Sequence, residues 1–148
     1  MLVEAIEYLN QGLSVIPVEP RGKKPLVNWE QYQNLRTDER TICMWWGKWP
    51  KANVGIVTGK ISSLVVIDCD SRAGFENISK HIRVSLKGTI PMVSTGNGFH
   101  MFFKHPMTQF VNNRASVLEH VDIRGDGGYV VAPPSVHPSG REIGRAHV

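Results

Sequence analysis

The apolar residues at the start of the chain follow a helical period. Leu2, Ile6 and Leu9 recur at helical spacing, acids stand near the start, and Gly12 stands where a helix would end. This pattern predicts a short amphipathic helix over residues 1–11.

A strand, a loop and a second helix are predicted next. Residues 13–18 form a β-like run, and residues 19–25 hold the Pro, Gly and basic residues typical of a loop. Thr37 or Asp38 can cap a helix that continues to about Lys48 and carries three tryptophans. Aromatic residues at helical spacing are more often core residues than a surface that stacks bases.

From residue 53 onward the chain is dominated by short β-like runs, interrupted by one helix over residues 73–81. Two helices and a strand followed by a strand-rich remainder predict one α+β or mixed α/β domain with one main sheet. The β-like runs are residues 53–57, 64–70, 91–95, 100–104, 121–124 and 129–132.

Composition excludes several classes of protein. A chain of 148 residues with 41% hydrophobic and 20% charged residues has the size and make-up of one globular domain. Its longest aliphatic run, residues 64–67, is too short to cross a bilayer, and Glu4 stands where a secretory signal would carry positive charge. We therefore expect a cytoplasmic protein without a membrane partner.

The two cysteines and the net charge add little to this picture. Cys43 and Cys69 predict neither a disulfide scaffold nor a zinc site. The net charge of +4 is compatible with a polyanionic partner without demonstrating one.

The last seven residues stand apart from this pattern. Residues 142–148 spell the peptide that a widely used short-read sequencing adapter encodes in one frame, directly before a stop codon. We therefore expect a native domain over residues 1–141 followed by a foreign tail that supplies no site residue.

Two acids close the most apolar run of the chain. Asp68 and Asp70 lie two positions apart, so both side chains fall on one face at the end of a strand. Two neighbouring carboxylates repel each other unless a proton or a cation neutralises them, and Mg²⁺ favours such oxygen ligands. A metal site and an ordinary turn after a strand are equally compatible with this pattern.

A Gly-x-Gly turn precedes an aromatic strand. Gly96 and Gly98 can bring backbone N–H groups close to an anion, and His100 opens the strand beside them. The arrangement suits contact with phosphate, although the segment taken alone is more typical of a plain hairpin turn.

A third acid lies inside a β-like run. Asp122 stands between Val121 and Ile123, where a core-facing carboxylate would be costly without a cation or hydrogen-bond donors. It is therefore a candidate third metal ligand, whereas Asp126 lies between glycines and is typical of a turn.

Taken in order, these segments resemble the N-terminal bifunctional primase-polymerase domain of the archaeo-eukaryotic primase superfamily, found in replication proteins of plasmids, phages and other mobile elements. Each block is weak alone, and their ordered combination carries the resemblance over nearly the whole chain. The matching blocks are the opening helix and strand, residues 22–26, the Trp45-Trp46 helix, and residues 53–59, 66–70, 95–100 and 122–140.

The resemblance implies a fold and a site. The fold is α+β, with an RRM-like antiparallel or mixed sheet joined to a small N-terminal α/β subdomain and an active site in the cleft between them. Asp68, Asp70 and Asp122 match the family's metal-binding carboxylates, which implies two Mg²⁺ or Mn²⁺ ions. His100 matches its nucleotide-contacting histidine.

The reaction implied by the resemblance is DNA primase and DNA polymerase activity, that is, transfer of nucleotides from NTP or dNTP on a single-stranded DNA template. Gly96 and Gly98 would let the backbone approach the triphosphate. Lys23, Lys24 and Arg124 are further candidates for contact with phosphate or template, although a solvated loop is the more ordinary interpretation of the two lysines. Members of the family often carry a helicase module and usually continue well past residue 140, so we expect their final strands and any helicase outside this chain.

Two other functions are compatible with the sequence. One is a non-catalytic module of the same fold that binds single-stranded nucleic acid, for which the three acids would be dispensable. The other is a nucleotide-sugar transferase with a D-x-D motif, which would leave His100 and the basic loop without a role.

Overall fold

The computed structural model describes residues 1–82 and 91–145 of the chain. Its helices are α1 (Leu2–Asn10), α2 (Glu39–Lys48) and α3 (Arg72–Ile82), with 3₁₀ turns at Glu30–Gln33 and Lys60–Ser62. Its strands are β1 (Ser14–Val18), β2 (Asn53–Val57), β3 (Leu64–Cys69), β4 (Met92–Ser94), β5 (Phe99–Lys104), β6 (Arg114–Leu118), β7 (Val121–Arg124), β8 (Tyr129–Ala132) and β9 (Gly144–Arg145). None of the helices in this part of the chain is long and apolar enough to cross a membrane.

The predicted helices and strands are all present, and most of their ends lie within one residue of the prediction. Asp38 is the cap of α2, because its side chain accepts a hydrogen bond from the backbone N–H of Thr41 at 2.8 Å. The local sequence pattern was sufficient to predict these elements, because each has either a clear apolar period or a capping residue.

Two strands lie outside the predicted runs. β6 is a largely exposed edge strand whose pairing with β7 is irregular, and Ser116 within it has a φ of +53°. It therefore lacks the apolar alternation that marks a half-buried strand. β9 pairs with β4, and the preceding Ile143 is 3% exposed. The proposal that residues 142–148 are foreign concerns their origin and stays a prediction; residues 146–148 lie outside the described part.

The described strands form two antiparallel sheets, a main sheet of six strands and a smaller sheet of three. The larger has the order β6-β7-β3-β5-β4-β9 and the smaller the order β1-β2-β8. A main sheet with a small second unit is the arrangement that the resemblance implied. The smaller sheet is not purely N-terminal, however, because its strand β8 follows β7 of the larger sheet.

The smaller sheet is buried on both faces, which is why β1 and β2 are buried along their whole length. On one face Val15 and Val54 pack with Ile42, Trp45 and Trp46 of α2, which confirms that these two tryptophans belong to the core. On the other face the smaller sheet meets the larger one. The residues of this second cluster are Ile16, Val18, Val57, Val93, Val131 and Ile143.

The larger sheet packs one face on α3. Cys69, Met101 and Val121 form a buried cluster with Ile78 of that helix. Because side chains alternate along a strand, the residues next to these three project from the opposite face. That face is turned toward the smaller sheet and carries the polar residues described next.

Candidate active site

Three polar side chains form a row across the larger sheet. Asp68 in β3 is paired with His100 in β5 on one side and with Asp122 in β7 on the other. Directly opposed residues in antiparallel strands have Cβ atoms about 4.5–5.5 Å apart. The register therefore brings together three predicted site residues from three separate segments of the sequence.

Arg124 contacts both acids of this row. It lies two positions after Asp122 on the same face of β7, and its Nη2 donates to Asp122 Oδ2 at 3.1 Å. Its Nε lies 3.6 Å from Asp68 Oδ2. The other oxygen of Asp122 accepts the backbone N–H of Ser116 at 2.7 Å. Asp122 thus has both the cation and the donor that its place in an apolar strand requires.

The surroundings of Asp68 favour its charged form. Burial works against ionisation of this carboxyl, but the His100 ring and the charges of Arg124 and Lys23 outweigh burial and hold its pKa below the ordinary value. Asp68 is therefore an anion at neutral pH, as a ligand for a cation or a partner for a basic group must be.

His100 has a ring nitrogen without a partner. Its Nε2 lies 3.3 Å from Asp68 Oδ1, whereas Nδ1 is the one buried side-chain polar atom in the described part of the chain that lacks a hydrogen bond. Buried polar groups are almost always paired. The unpaired nitrogen of His100 is therefore a feature that packing of the core does not explain.

Asp70 lies beyond the end of β3 and has a different partner. Its Oδ1 lies 3.0 Å from Nδ1 of His120, and its side chain is 67% exposed. It lines the same cavity as Asp68 and Asp122 without being paired with Arg124. The structure therefore brings the three predicted carboxylates to one cavity, with two of them in contact with the same cation.

This cavity lies between the two sheets and has a volume of about 760 Å³. Ligand-binding clefts are commonly about 300–1,000 Å³. The larger sheet contributes the row and Arg124, the smaller sheet contributes Tyr129, Val130 and Val131, and loops complete the wall. The loop residues include Lys23, Trp29, Thr95, Asn97, Gly98, Asn113, Gly127, Gly128, His137 and Pro138.

Close packing explains why both positions of the Gly-x-Gly turn are glycine. A Cβ on Gly98 would collide with the backbone oxygen of Cys69, and a Cβ on Gly96 would collide with the ring of His137. Gly98 lines the main cavity, whereas Gly96 lines a smaller hollow beside it. The predicted contact of both glycines with phosphate stays a prediction.

The two lysines of the first loop lie in different places. Lys23 lines the cavity, and its backbone oxygen accepts the Tyr129 hydroxyl at 2.8 Å, which ties this loop to β8. Lys24 is not part of the cavity wall, and its backbone N–H donates to Glu19. The structure thus brings Lys23 to the site and leaves Lys24 outside it.

Several residues of the wall were not predicted. Trp29 and Tyr129 contact each other edge to face, with ring centroids 4.9 Å apart. Burial and the nearby charges of Lys23 and Arg141 lower the pKa of His137, so its ring is neutral at pH 7. No local signal marks these residues, because each reaches the cavity only through the packing of the two sheets.

The donor set partly fits a divalent cation. Carboxylate oxygens are the ligands that Mg²⁺ and Mn²⁺ prefer, and Asp68 and Asp122 already attract one positive charge between them. Within residues 1–82 and 91–145, however, no three His, Cys, Asp or Glu side chains are grouped closely enough to hold an ion. The carboxylate chemistry fits a cation, and two of the three predicted ligands, Asp68 and Asp122, contact one cationic side chain, that of Arg124.

The fold and the site define a class of protein, an α+β domain whose acids, histidine and basic residues face one cleft between two sheets. The family model of the bifunctional DNA primase/polymerase N-terminal domain matches residues 5–147, nearly the whole chain. The chain therefore belongs to the Prim-Pol family of primase/polymerase-type domains, a family that implies nucleotide and nucleic-acid substrates and metal-dependent catalysis in general. No curated protein matches the chain.

Proposed function

We propose that this chain is the catalytic domain of a DNA primase and polymerase, which transfers nucleotides from NTP or dNTP in the cleft between the sheets. The observation that supports this most is the row of Asp68, Asp122 and His100 on the face that lines the cavity. Family membership supports the same class of reaction and gives no support to a nucleotide-sugar transferase.

The acids supply the negative side of the site. Asp68, Asp70 and Asp122 would hold two divalent ions, which when bound neutralise the triphosphate and lower the pKa of the attacking hydroxyl. Asp68 is suited to this role because its pKa is lowered, so no proton has to leave before a cation binds.

The basic residues supply the positive side. Lys23 and Arg124 project into the same cavity as the acids, where they can bind phosphate oxygens of the nucleotide. Phosphoryl transfer depends mainly on positioning and charge neutralisation, so fixed donors of this kind contribute directly to the rate.

His100 orients the substrate. Its ring lies in the cavity wall, and Nε2, which faces the carboxylate of Asp68, is the nitrogen that would donate to an anionic oxygen of the substrate, because Nδ1 is buried. The proposed partners are a single-stranded DNA template and a helicase module, and the proposed setting is replication of a plasmid or phage.

Incorporation of a labelled dNTP on a primed template, and synthesis of dinucleotides without a primer, test this proposal. Asp68→Asn and Asp122→Asn should each lower incorporation at least about 100-fold in Mn²⁺, with far-UV circular dichroism unchanged. Glu76→Gln is the matched control, because Glu76 is an exposed acid of α3 outside the cavity. Wild-type activity in either acid variant would refute the proposed role of the row.

A binding experiment separates catalysis from simple nucleic-acid binding. DNA affinity in EDTA, measured beside incorporation in Mn²⁺, gives two independent readouts. Undiminished affinity in EDTA together with no incorporation in Mg²⁺ or Mn²⁺ would favour a non-catalytic binding module. Incorporation that depends on the metal supports the catalytic domain.

A further inference from the structure

The guanidinium of Arg124 contacts two acids, Asp68 and Asp122, that the proposed function assigns as metal ligands. Its guanidinium lies 3.1 Å from Asp122 Oδ2 and 3.6 Å from Asp68 Oδ2. All three side chains are about two-thirds or more shielded from solvent, with exposures of 31% for Arg124, 30% for Asp122 and 24% for Asp68. The contact is therefore screened by solvent much less than a surface ion pair.

The position of Arg124 follows from the strand register. Arg124 is paired with Val66, two residues before Asp68, and lies two residues after Asp122 on the same face. It is the diagonal neighbour of one acid and the same-strand neighbour of the other. Two facing carboxylates repel each other when they are alone, and a cation at this point relieves that repulsion when no metal is bound.

A divalent ion and the guanidinium satisfy the same demand. Both reduce the repulsion between Asp68 and Asp122, and carboxylate oxygens engaged by Arg124 are less available as metal ligands. The planar guanidinium is also a strong partner for phosphate. An arginine released from the acids would lie in the cavity that the triphosphate is proposed to enter.

We propose that Arg124 is an internal counter-cation that holds the acidic row together without metal, leaves Asp68 and Asp122 when a divalent ion binds, and then contacts phosphate of the nucleotide. This inference rests on the proposed function, because it takes the two acids as metal ligands. Arg124 thus has a positioning role with two states, paired with the acids when no metal is bound and in contact with phosphate when metal is bound.

Mn²⁺ affinity of the whole chain tests the exchange without any measurement of activity. Free Mn²⁺ is followed by electron paramagnetic resonance during titration. Arg124→Met should bind Mn²⁺ about tenfold more tightly than wild type, because the ion no longer displaces a guanidinium. Lys23→Met is the matched control: it removes one positive charge from the same cavity and breaks no ion pair in the described part of the chain. Lys23→Met should tighten Mn²⁺ binding only about twofold to threefold, because it removes one nearby positive charge without freeing a carboxylate.

The outcomes separate this inference from the proposed function. Wild-type binding of Mn²⁺ that Arg124→Met leaves unchanged or weakens overturns the exchange and leaves the metal site in place. Equal gains in Arg124→Met and Lys23→Met overturn it too, because the effect is then one of charge alone. No Mn²⁺ binding in wild type or in either variant overturns the metal site and the inference with it.

A measurement on wild type covers the case in which Arg124→Met does not fold. The arginine Nε–Hε resonance of Arg124, assigned by its loss in Arg124→Lys, reports on the guanidinium in ¹⁵N-labelled protein. On addition of Mg²⁺ it should shift and exchange faster with solvent as the pairs with Asp68 and Asp122 break. A resonance that Mg²⁺ leaves unchanged, in protein shown to bind Mg²⁺ by calorimetry, contradicts the exchange.

Discussion

Asp126 should hold the fold of the site without taking part in its chemistry. Its carboxylate accepts three hydrogen bonds, from the backbone N–H of Lys60 at 2.9 Å, the backbone N–H of Val111 at 2.8 Å and Nε2 of His105 at 2.9 Å. The His105 side chain is fully buried and that of Asp126 is 11% exposed. Asp126 thereby fixes the segment that connects β7 of the larger sheet to β8 of the smaller one.

Asp126→Asn replaces one acceptor oxygen with an amide NH₂. If the remaining oxygen keeps the hydrogen bond from the Lys60 N–H, the new NH₂ group faces two other donors, the Val111 N–H and the His105 ring. Hydrogen bonds to a charged group contribute about 1.5–3 kcal/mol each, and a buried donor left unpaired adds its desolvation cost. We expect a loss of about 3–5 kcal/mol in the free energy of unfolding, or roughly 10–15 °C in Tm for a chain of this size.

Urea unfolding at pH 7 measures this loss, with Asp122→Asn as the matched control. Asp122 accepts from Ser116 and Arg124, but the remaining oxygen can keep the Ser116 N–H and neutralisation relieves repulsion from Asp68, so only about 1–2 kcal/mol should be lost there. A loss below about 1 kcal/mol in Asp126→Asn would refute the structural role given to Asp126.

Acid should reduce the difference between wild type and Asp126→Asn. Burial favours the neutral form of Asp126, but its hydrogen-bond donors prevail and lower the pKa of this carboxyl. The folded pKa is thus below the unfolded value of about 3.9. The stabilisation is complete above that unfolded value and is lost as the pH falls through the folded pKa. A difference that stays constant below pH 4 would contradict this assignment.

Two further predictions concern packing and thiol reactivity. Gly98→Ala should destabilise the fold by about 2–3 kcal/mol in thermal or urea unfolding, because the new Cβ meets the oxygen of Cys69. Gly47→Ala, with open space around it in α2, should instead stabilise by about 0.5–1 kcal/mol, and equal effects would contradict the close approach at Gly98. Cys69 is fully buried, and burial with the nearby Asp68 and Asp70 raises the pKa of its thiol to about 11. Iodoacetamide at pH 8 should therefore modify only the exposed Cys43 in the native chain, as mass spectrometry can show, and rapid modification of Cys69 would refute its burial.

The elements of the fold were predictable because their signals are local. The apolar run that ends in Asp68 and the capping residue Asp38 each mark an element within a few residues. β6 was missed because an exposed, irregular edge strand carries no apolar alternation. The division into two sheets is a property of long-range pairing, so no local pattern indicates it.

The site was predictable residue by residue but not in its arrangement. The sequence marks Asp68, His100 and Asp122 as separate features, and only the register of β3 with β5 and β7 places them side by side. The ion pairs of Arg124 depend on the same register. Asp126 was predicted as a turn residue, and its bond to His105 could not be foreseen, because the partner lies 21 residues away in the loop after β5.

The central claim is that the row in the cleft is a metal-dependent site for nucleotidyl transfer. Cleavage of the backbone by hydroxyl radicals from Fe²⁺ bound in place of Mg²⁺ tests where the ion lies, with the fragments read by mass spectrometry. The account predicts cuts near Asp68 and near Asp122, 54 residues apart in the sequence, which excess Mn²⁺ suppresses and Asp122→Asn weakens. Cuts at other positions that Mn²⁺ does not suppress would contradict it.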